Sequence, residues 1–175
     1  MKVEKGLTMF YTGDDVLSNW YMRDFKIKDI TFNCGEQAMM FSKARLFGDD
    51  KIAQEILKAK YPRDHKRLGK KVGGFVQKVW DEKCVPIVRA VNLHRCSQHK
   101  DIKEVLLAAR GTTIVEASGS DRIWGVGFTE DDPRIHQREL WGQNLLGYAH
   151  MDNCERLFQL EMRRQQEKSS QLGMG

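Results

Sequence analysis

The sequence predicts an α+β fold, a mostly helical single domain with a small β-sheet. Three observations carry that expectation. Runs of good helix formers, several of them closed by a glycine or followed by a proline, fill residues 35–110. A β-branched run, TTIVEAS at 112–118, is the clearest strand in the chain. A length of 175 residues with 41% hydrophobic composition suffices for one well-buried core and is too short for two ordinary domains. The expected division is a single domain over residues 1–166 and a flexible C-terminal tail over 167–175, where the sequence turns polar.

Taken in order, the opening MFYTGDDVLSNWY sets aromatic residues around a Gly-Asp-Asp turn signal, and FKIKDITF forms two short strands about Lys28-Asp29. EQAMMFSKARLF, with few β-branched residues and Gly48 as its stop, is a helix. DDKIAQEILKAK has an acidic first turn and apolar Ile52, Ala53, Ile56 and Leu57, as an amphipathic helix should. Pro62 opens a third, short helix, and Gly69, Gly73 and Gly74 break the pattern, leaving Trp80 at the entrance to the next element. Apolar positions 84, 87, 88 and 91 predict a helix starting near residue 82, so that Pro86 falls in its first turn, where a missing N–H costs little. Asp101 is placed to cap a further helix that Gly111 ends. The TTIVEAS strand opens into IWGVGF, and the latter part of WGQNLLGYAHMDNCERLFQLEMRR is a long amphipathic helix.

Composition narrows the function classes. No run approaches the roughly 20 apolar residues of a membrane span, and the N-terminal stretch lacks the apolar core of a secretory signal, so a cytoplasmic protein without a membrane partner is expected. Cys34, Cys84, Cys96 and Cys154 lie far apart with no CxxC pair and read as reduced, buried thiols. The net charge of +5 permits an acidic partner, yet 29 Lys and Arg stand against 24 Asp and Glu, a balance that a solvated mixed surface explains better. The five histidines show no ligand spacing, and there is no P-loop, GxGxxG or nucleophile elbow, so neither a metal nor a cofactor is expected.

Glu36, Met40, Lys43 and Phe47 are spaced i, i+4, i+7, i+11, which puts an acid and an amine on one helix face, close enough for both to reach one ligand. The plainer account, which spacing alone favours, is a first-turn carboxylate and a lysine whose head reaches water. Trp80, Trp124 and Trp141 stand beside Gly, Asp or Asn; an indole can stack on a base, and most indoles are core or rim. Asp121 and Trp124-Gly125 lie just past the predicted strand, where loops on a rigid base hold functional groups, and Gly125 keeps the backbone bare for a close approach.

Seven blocks in order, LSNWY at 17–21, GEQAMMFSKA at 35–44, LGKKV at 68–72, KVWDEK at 78–83, LLAARGTTIVEAS at 106–118, DRIWGVGF at 121–128 and WGQNLLG at 141–147, resemble the NADAR (NAD- and ADP-ribose-associated), or YbiA-like, N-glycosidase family. The resemblance implies the YbiA-like fold and cleavage of the bond between a ribose 5'-phosphate, or ADP-ribose, and an amino-heterocycle. The implied partner is a nucleotide-like substrate: ADP-ribosylated guanine in nucleic acid, or an early riboflavin-pathway ribosylamino intermediate. By that resemblance Glu36, Lys43 and Asp121 are the catalytic candidates, and Asn19, Trp80, Trp124, Gly125, Asn144 and Lys70 the substrate-binding ones. Gln37 and Lys70 depart from the family pattern, which often has an aromatic residue or histidine at the first and an arginine at the second. Lys70 keeps the charge and loses the bidentate fork. Arg110 and Arg122 are further candidate phosphate partners.

Breaking a C–N glycosidic bond requires support for positive charge on the sugar and a proton for the departing nitrogen. Glu36 and Asp121 can share those tasks. Alternatively, a neutral Lys43 amine can attack the imine of an opened ribosylamine, with Glu36 shuttling protons. Asn19 and Asn144 suit ribose hydroxyls or phosphate, and Asn144 suits a helix cap as well. Two non-enzymatic alternatives stand beside these: a module that binds ADP-ribose or nucleic acid, and a structural protein on the same fold.

Overall fold

The computed structural model describes residues 1–172. Strands β1 (Lys2–Glu4) and β2 (Leu7–Phe10) pair antiparallel through Lys5 and Gly6, whose φ values of 48° and 77° give the two-residue turn that matches strand twist. β3 (Phe25–Ile27) and β4 (Ile30–Phe32) form the predicted hairpin about Lys28-Asp29. Helices α1 (Gly35–Leu46), α2 (Asp50–Lys58) and α3 (Pro62–Gly69) follow, then α4 (Gln77–Gln98) and α5 (Lys100–Ala108). Strand β5 (Thr113–Glu116) returns parallel to β2, with Leu7 opposite Thr113 and Phe10 opposite Glu116. Two single 3-10 turns, at Pro133–His136 and Arg138–Leu140, precede the long α6 (Leu145–Leu172).

α1 is the hub. Every residue from Gly35 to Met40 is buried, because α2, α3 and α4 all pack on this helix. Its sulfur N-cap is Cys34, whose Sγ accepts from the Gln37 N–H at 3.5 Å. Gln37 itself faces away from any cleft: its Nε2 donates to the carbonyls of Ile56 at 3.0 Å and Ala59 at 3.3 Å, fastening the end of α2. On the other side of the molecule α6 packs against α4 and β5. All four cysteines are buried and free, as expected. No helix among the described residues is long and apolar enough to cross a membrane.

Two expectations are corrected, the start of α4 and the cap of α5, and two strands add to what the sequence predicts. β1 and β2 were not predicted, since each is three or four residues long and β2 is buried at every position, leaving no alternation to read. α4 starts at Gln77, not near residue 82, so Trp80 lies in its first turn and Pro86 in its interior. The proline is tolerated because Pro86 and Glu82, whose carbonyl loses its partner, both face solvent, while the opposite side of α4 is held by α1 and α6. Asp101 does not cap α5; His99 occupies that position, and the Asp101 carboxylate sits 3.7 Å from Arg23. α6 runs through Leu172, so residues 167–172 of the expected tail are helical, their Gln, Glu and Lys extending a helix already nucleated by packing. Residues 173–175 lie outside the described ones.

Candidate active site

The first two turns of α1, the end of α3, the start of α4 and the loop after β5 enclose a cleft of about 330 Å3. Glu36, Met39, Met40 and Lys43 line it from α1, the i, i+3, i+4, i+7 row of a single helix face. Asn19, Lys70, Trp80, Asp121 and Trp124 join them, so seven of the nine predicted site residues converge here from five separate segments.

Glu36 is 7% exposed. Burial lifts its carboxyl to about 7, against the pull of Lys66, of the Trp20 indole and of Lys43, with Asp121 adding to the rise. Lys43 is half-buried, and its Nζ donates to the Gly69 carbonyl at 3.0 Å while lying 4.3 Å from the centre of the Phe75 ring and 5.4 Å from that of Trp80. Among the described residues Glu36 and Lys43 form no ion pair. Burial lowers the pKa of Lys43 and so raises its neutral fraction, while the nearby Glu36 works in the opposite direction.

Asp121 accepts from the N–H groups of Ile123 at 2.9 Å and Trp124 at 2.8 Å, both through Oδ1. This Asx turn fixes the carboxylate at the cleft wall and leaves Oδ2 as the oxygen open to a ligand. Asn19 is set in place by a buried chain. Arg95 donates to Asn92 Oδ1 at 2.7 Å, Asn92 Nδ2 donates to Asn19 Oδ1 at 3.0 Å, and the second Arg95 Nη holds the carbonyls of Val16 and Ser18. Burial holds His150 down to about 4, and this neutral ring donates Nε2–H to the Leu17 carbonyl at 2.8 Å. With its oxygen committed to Asn92, Asn19 presents a donor amide that makes only a long contact, 3.9 Å, to the thioether of Met39.

Asn144 and Gly125 do not reach the cleft. Asn144, fully buried at φ 49°, accepts from the Glu116 N–H at 3.1 Å and donates to the Ile114 carbonyl at 2.9 Å, so its side chain completes the free edge of β5. What approaches Gly125 is its own chain: a Cβ there would meet the Glu116 carbonyl at 2.7 Å. The loop carbonyls of Ile123 and Trp124 accept from the first N–H groups of α6, at Leu145 and Leu146, which satisfies that helix start without a ligand. Arg110 pairs with Glu155 at 3.0 Å and Arg122 donates to the Leu140 carbonyl at 3.0 Å; neither lines the cleft.

Three charged or aromatic wall residues are absent from the predicted set. Trp20 follows Asn19 in the first motif block, Lys66 precedes Lys70 by one helical turn, and Glu116 ends the β5 strand, where a carboxylate after a β-branched run is itself a signal. Burial, with Asp121 and Glu36 adding, lifts Glu116 to about 8 against the pull of Lys66. A second cavity of about 490 Å3 lies beyond, lined by the hydroxyl-bearing Tyr11, Thr12, Ser18, Ser118 and Ser120, and it shares Trp20, Lys66, Glu116 and Asp121 with the first.

The sequence model of the NADAR domain matches residues 9–158. The chain belongs to the NADAR family. Its relatives include the protein irg-1 of Caenorhabditis elegans, 34% identical over 82% of this chain and 76% of that one. The N-glycosidase R617 of Acanthamoeba polyphaga mimivirus is 36% identical over 79% of this chain and 85% of its own, and the N-glycosidase YbiA of Escherichia coli strain K12 is 26% identical over 86% and 88%. The NMR structure of the E. coli protein YbiA shares the fold with a TM-score of 0.73, at 24% identity, across 92% of this chain and 90% of that one. The matched NADAR region spans the whole cleft, from Asn19 to Leu146.

Proposed function

We propose that this NADAR chain is an N-glycosidase that hydrolyses the bond between C1 of a ribose 5'-phosphate, or of the ribose in ADP-ribose, and an amino nitrogen on a heterocycle. The observation that carries this is the joint presence of Glu36, Lys43 and Asp121 on one cleft, with the first held near neutrality and the second pushed toward its free amine. Two relatives named N-glycosidases support the reaction class. The substrates proposed are ADP-ribosyl-guanine in nucleic acid and an early riboflavin-pathway ribosylamino phosphate, which share a sugar phosphate and an exocyclic nitrogen. Lys66 and Lys70, both exposed at the cleft, suit a phosphate-bearing ligand.

In the route favoured here the ribosylamine opens to its imine and the Lys43 amine adds to C1. The C–N bond to the heterocycle then breaks with its electron pair going to that nitrogen, leaving an imine between Lys43 and the sugar. Water hydrolyses this imine and frees Lys43, while Glu36 moves the protons. Trp80 and Trp124 line the cleft, and their indoles are the aromatic groups there that would stack on the heterocycle.

Separate incubation with ADP-ribosylated guanine DNA and with a ribosylaminopyrimidine phosphate, read by mass spectrometry, tests the reading. Release of the sugar from either supports it and names the substrate, and Glu36→Gln removes that release. Binding of both with no release would return the chain to a non-catalytic module.

A further inference from the structure

Glu116 stands where the two cavities meet. It belongs to the lining of both, together with Trp20, Lys66 and Asp121, so a ligand too large for one chamber must pass this wall. Its backbone is immobilised on three sides: the N–H by Asn144 Oδ1 at 3.1 Å, the carbonyl by the Val126 N–H at 3.1 Å, and the strand itself by β2. The carboxyl has no such restraint. Oε2 is shut off from solvent with no hydrogen-bond partner among the described residues. A buried carboxylate oxygen without a donor is costly, whereas a carboxylic acid carries its own proton into such a place and can give it to a ligand.

Resting on the N-glycosidase reading, we propose that Glu116 is a further catalytic residue, the acid that protonates the departing heterocycle nitrogen at the wall between the chambers. The step balances simply. The Glu116 O–H proton moves to the nitrogen as the C–N pair collapses onto it, leaving a carboxylate that regains its proton from the water consumed in freeing the sugar. The charged groups facing Glu116 are Glu36, Asp121 and Lys66; the first two make its ionisation harder and the last makes it easier. Lys43 and Glu36 line the same cleft from α1 and Glu116 from the end of β5, so nucleophile and acid come from separate elements.

The test compares wild type, Glu116→Gln and Glu36→Gln on a ribosylaminopyrimidine phosphate and on its nitro-substituted counterpart, whose heterocycle leaves without a proton. Glu116→Gln is expected to lose about 10²- to 10³-fold in kcat/KM on the first substrate and at least tenfold less on the second. It should also lose the alkaline limb of the pH profile, which Glu36→Gln retains in whatever activity remains. Unchanged activity, or an equal loss on both substrates, overturns the assignment while the wild-type turnover upholds the enzyme. A wild type inert on both substrates overturns the N-glycosidase reading itself and this assignment with it. Should Glu116→Gln melt well below wild type, Glu116→Asp carries the comparison: the shorter acid keeps the alkaline limb at reduced rate, and loss of that limb counts against the proposal.

Discussion

The main-chain N–H of Glu36 donates to the main-chain carbonyl of Asn19 at 2.8 Å, so the loop that carries Asn19 also caps the helix that carries Glu36 and Lys43. Gly35 makes this approach possible, since a Cβ there would lie 2.7 Å from Asn19 Oδ1. The cleft wall from α1 and the wall from the 17–20 loop are therefore one mechanical unit, anchored from beneath by Asn92 and Arg95.

Loosening that anchor should change substrate affinity more than chemistry. Asn92→Ala frees Asn19 Oδ1 and removes one acceptor of Arg95. We expect KM to rise about tenfold with kcat nearly unchanged, and stability to fall by about 1–2 kcal/mol in urea titration. A loss confined to kcat would show that Asn19 does not position substrate.

The Schiff-base route makes Lys43 visible. Borohydride added during turnover should trap a sugar adduct on Lys43, located by peptide mass spectrometry, and Lys43→Arg should give neither adduct nor more than about 1% of wild-type turnover, since a guanidinium keeps the charge and forms no imine. Turnover that continues under borohydride without an adduct removes Lys43 as nucleophile.

The two raised carboxyls set a pH dependence of stability. With ordinary values of 4.5 and folded values of about 7 for Glu36 and about 8 for Glu116, the folded chain binds more protons than the unfolded one across that window. Their contribution is complete below about pH 4.5 and is lost as pH rises through 7 and 8. Glu36→Gln and Glu116→Gln should each be more stable than wild type at pH 8.5, by on the order of 3 kcal/mol, with the difference shrinking as the pH falls and gone by about pH 4. Melting differences that do not vary with pH would contradict the assignment.

Asn144 separates a ligand role from a structural one. Asn144→Ala leaves the Glu116 N–H and the Ile114 carbonyl without partners and puts alanine, which tolerates positive φ less well than asparagine, at φ 49°, for an expected cost of about 2–4 kcal/mol. The folded variant should keep its KM at low temperature. A raised KM with unaltered melting would restore Asn144 to the substrate.

Much of the candidate site is legible in the sequence because helix periodicity is local. Glu36 and Lys43 share a face whenever residues 35–46 are helical, whatever surrounds them. The Asx turn of Asp121 and the strand before it are local too. Asn144 and Gly125 were misplaced for the opposite reason: each meets a β5 backbone group far away in sequence or across a tight loop, and no spacing rule shows whether a bare backbone receives a ligand or its own chain. Pro86 pulled the expected start of α4 five residues late, because the tolerance of an interior proline depends on which side of the helix faces water.

By itself, then, the sequence determined a single α+β domain, its helices α1 to α3, the β5 strand and a helix face bearing an acid and an amine. The tertiary structure alone decided that this face is the wall of a cleft, that Trp20, Lys66 and Glu116 share it, and that Glu116 stands between two chambers. Periodicity is a property of neighbours in the chain. Burial, and the protonation it imposes on Glu36 and Glu116, is a property of segments that meet only when the chain has folded.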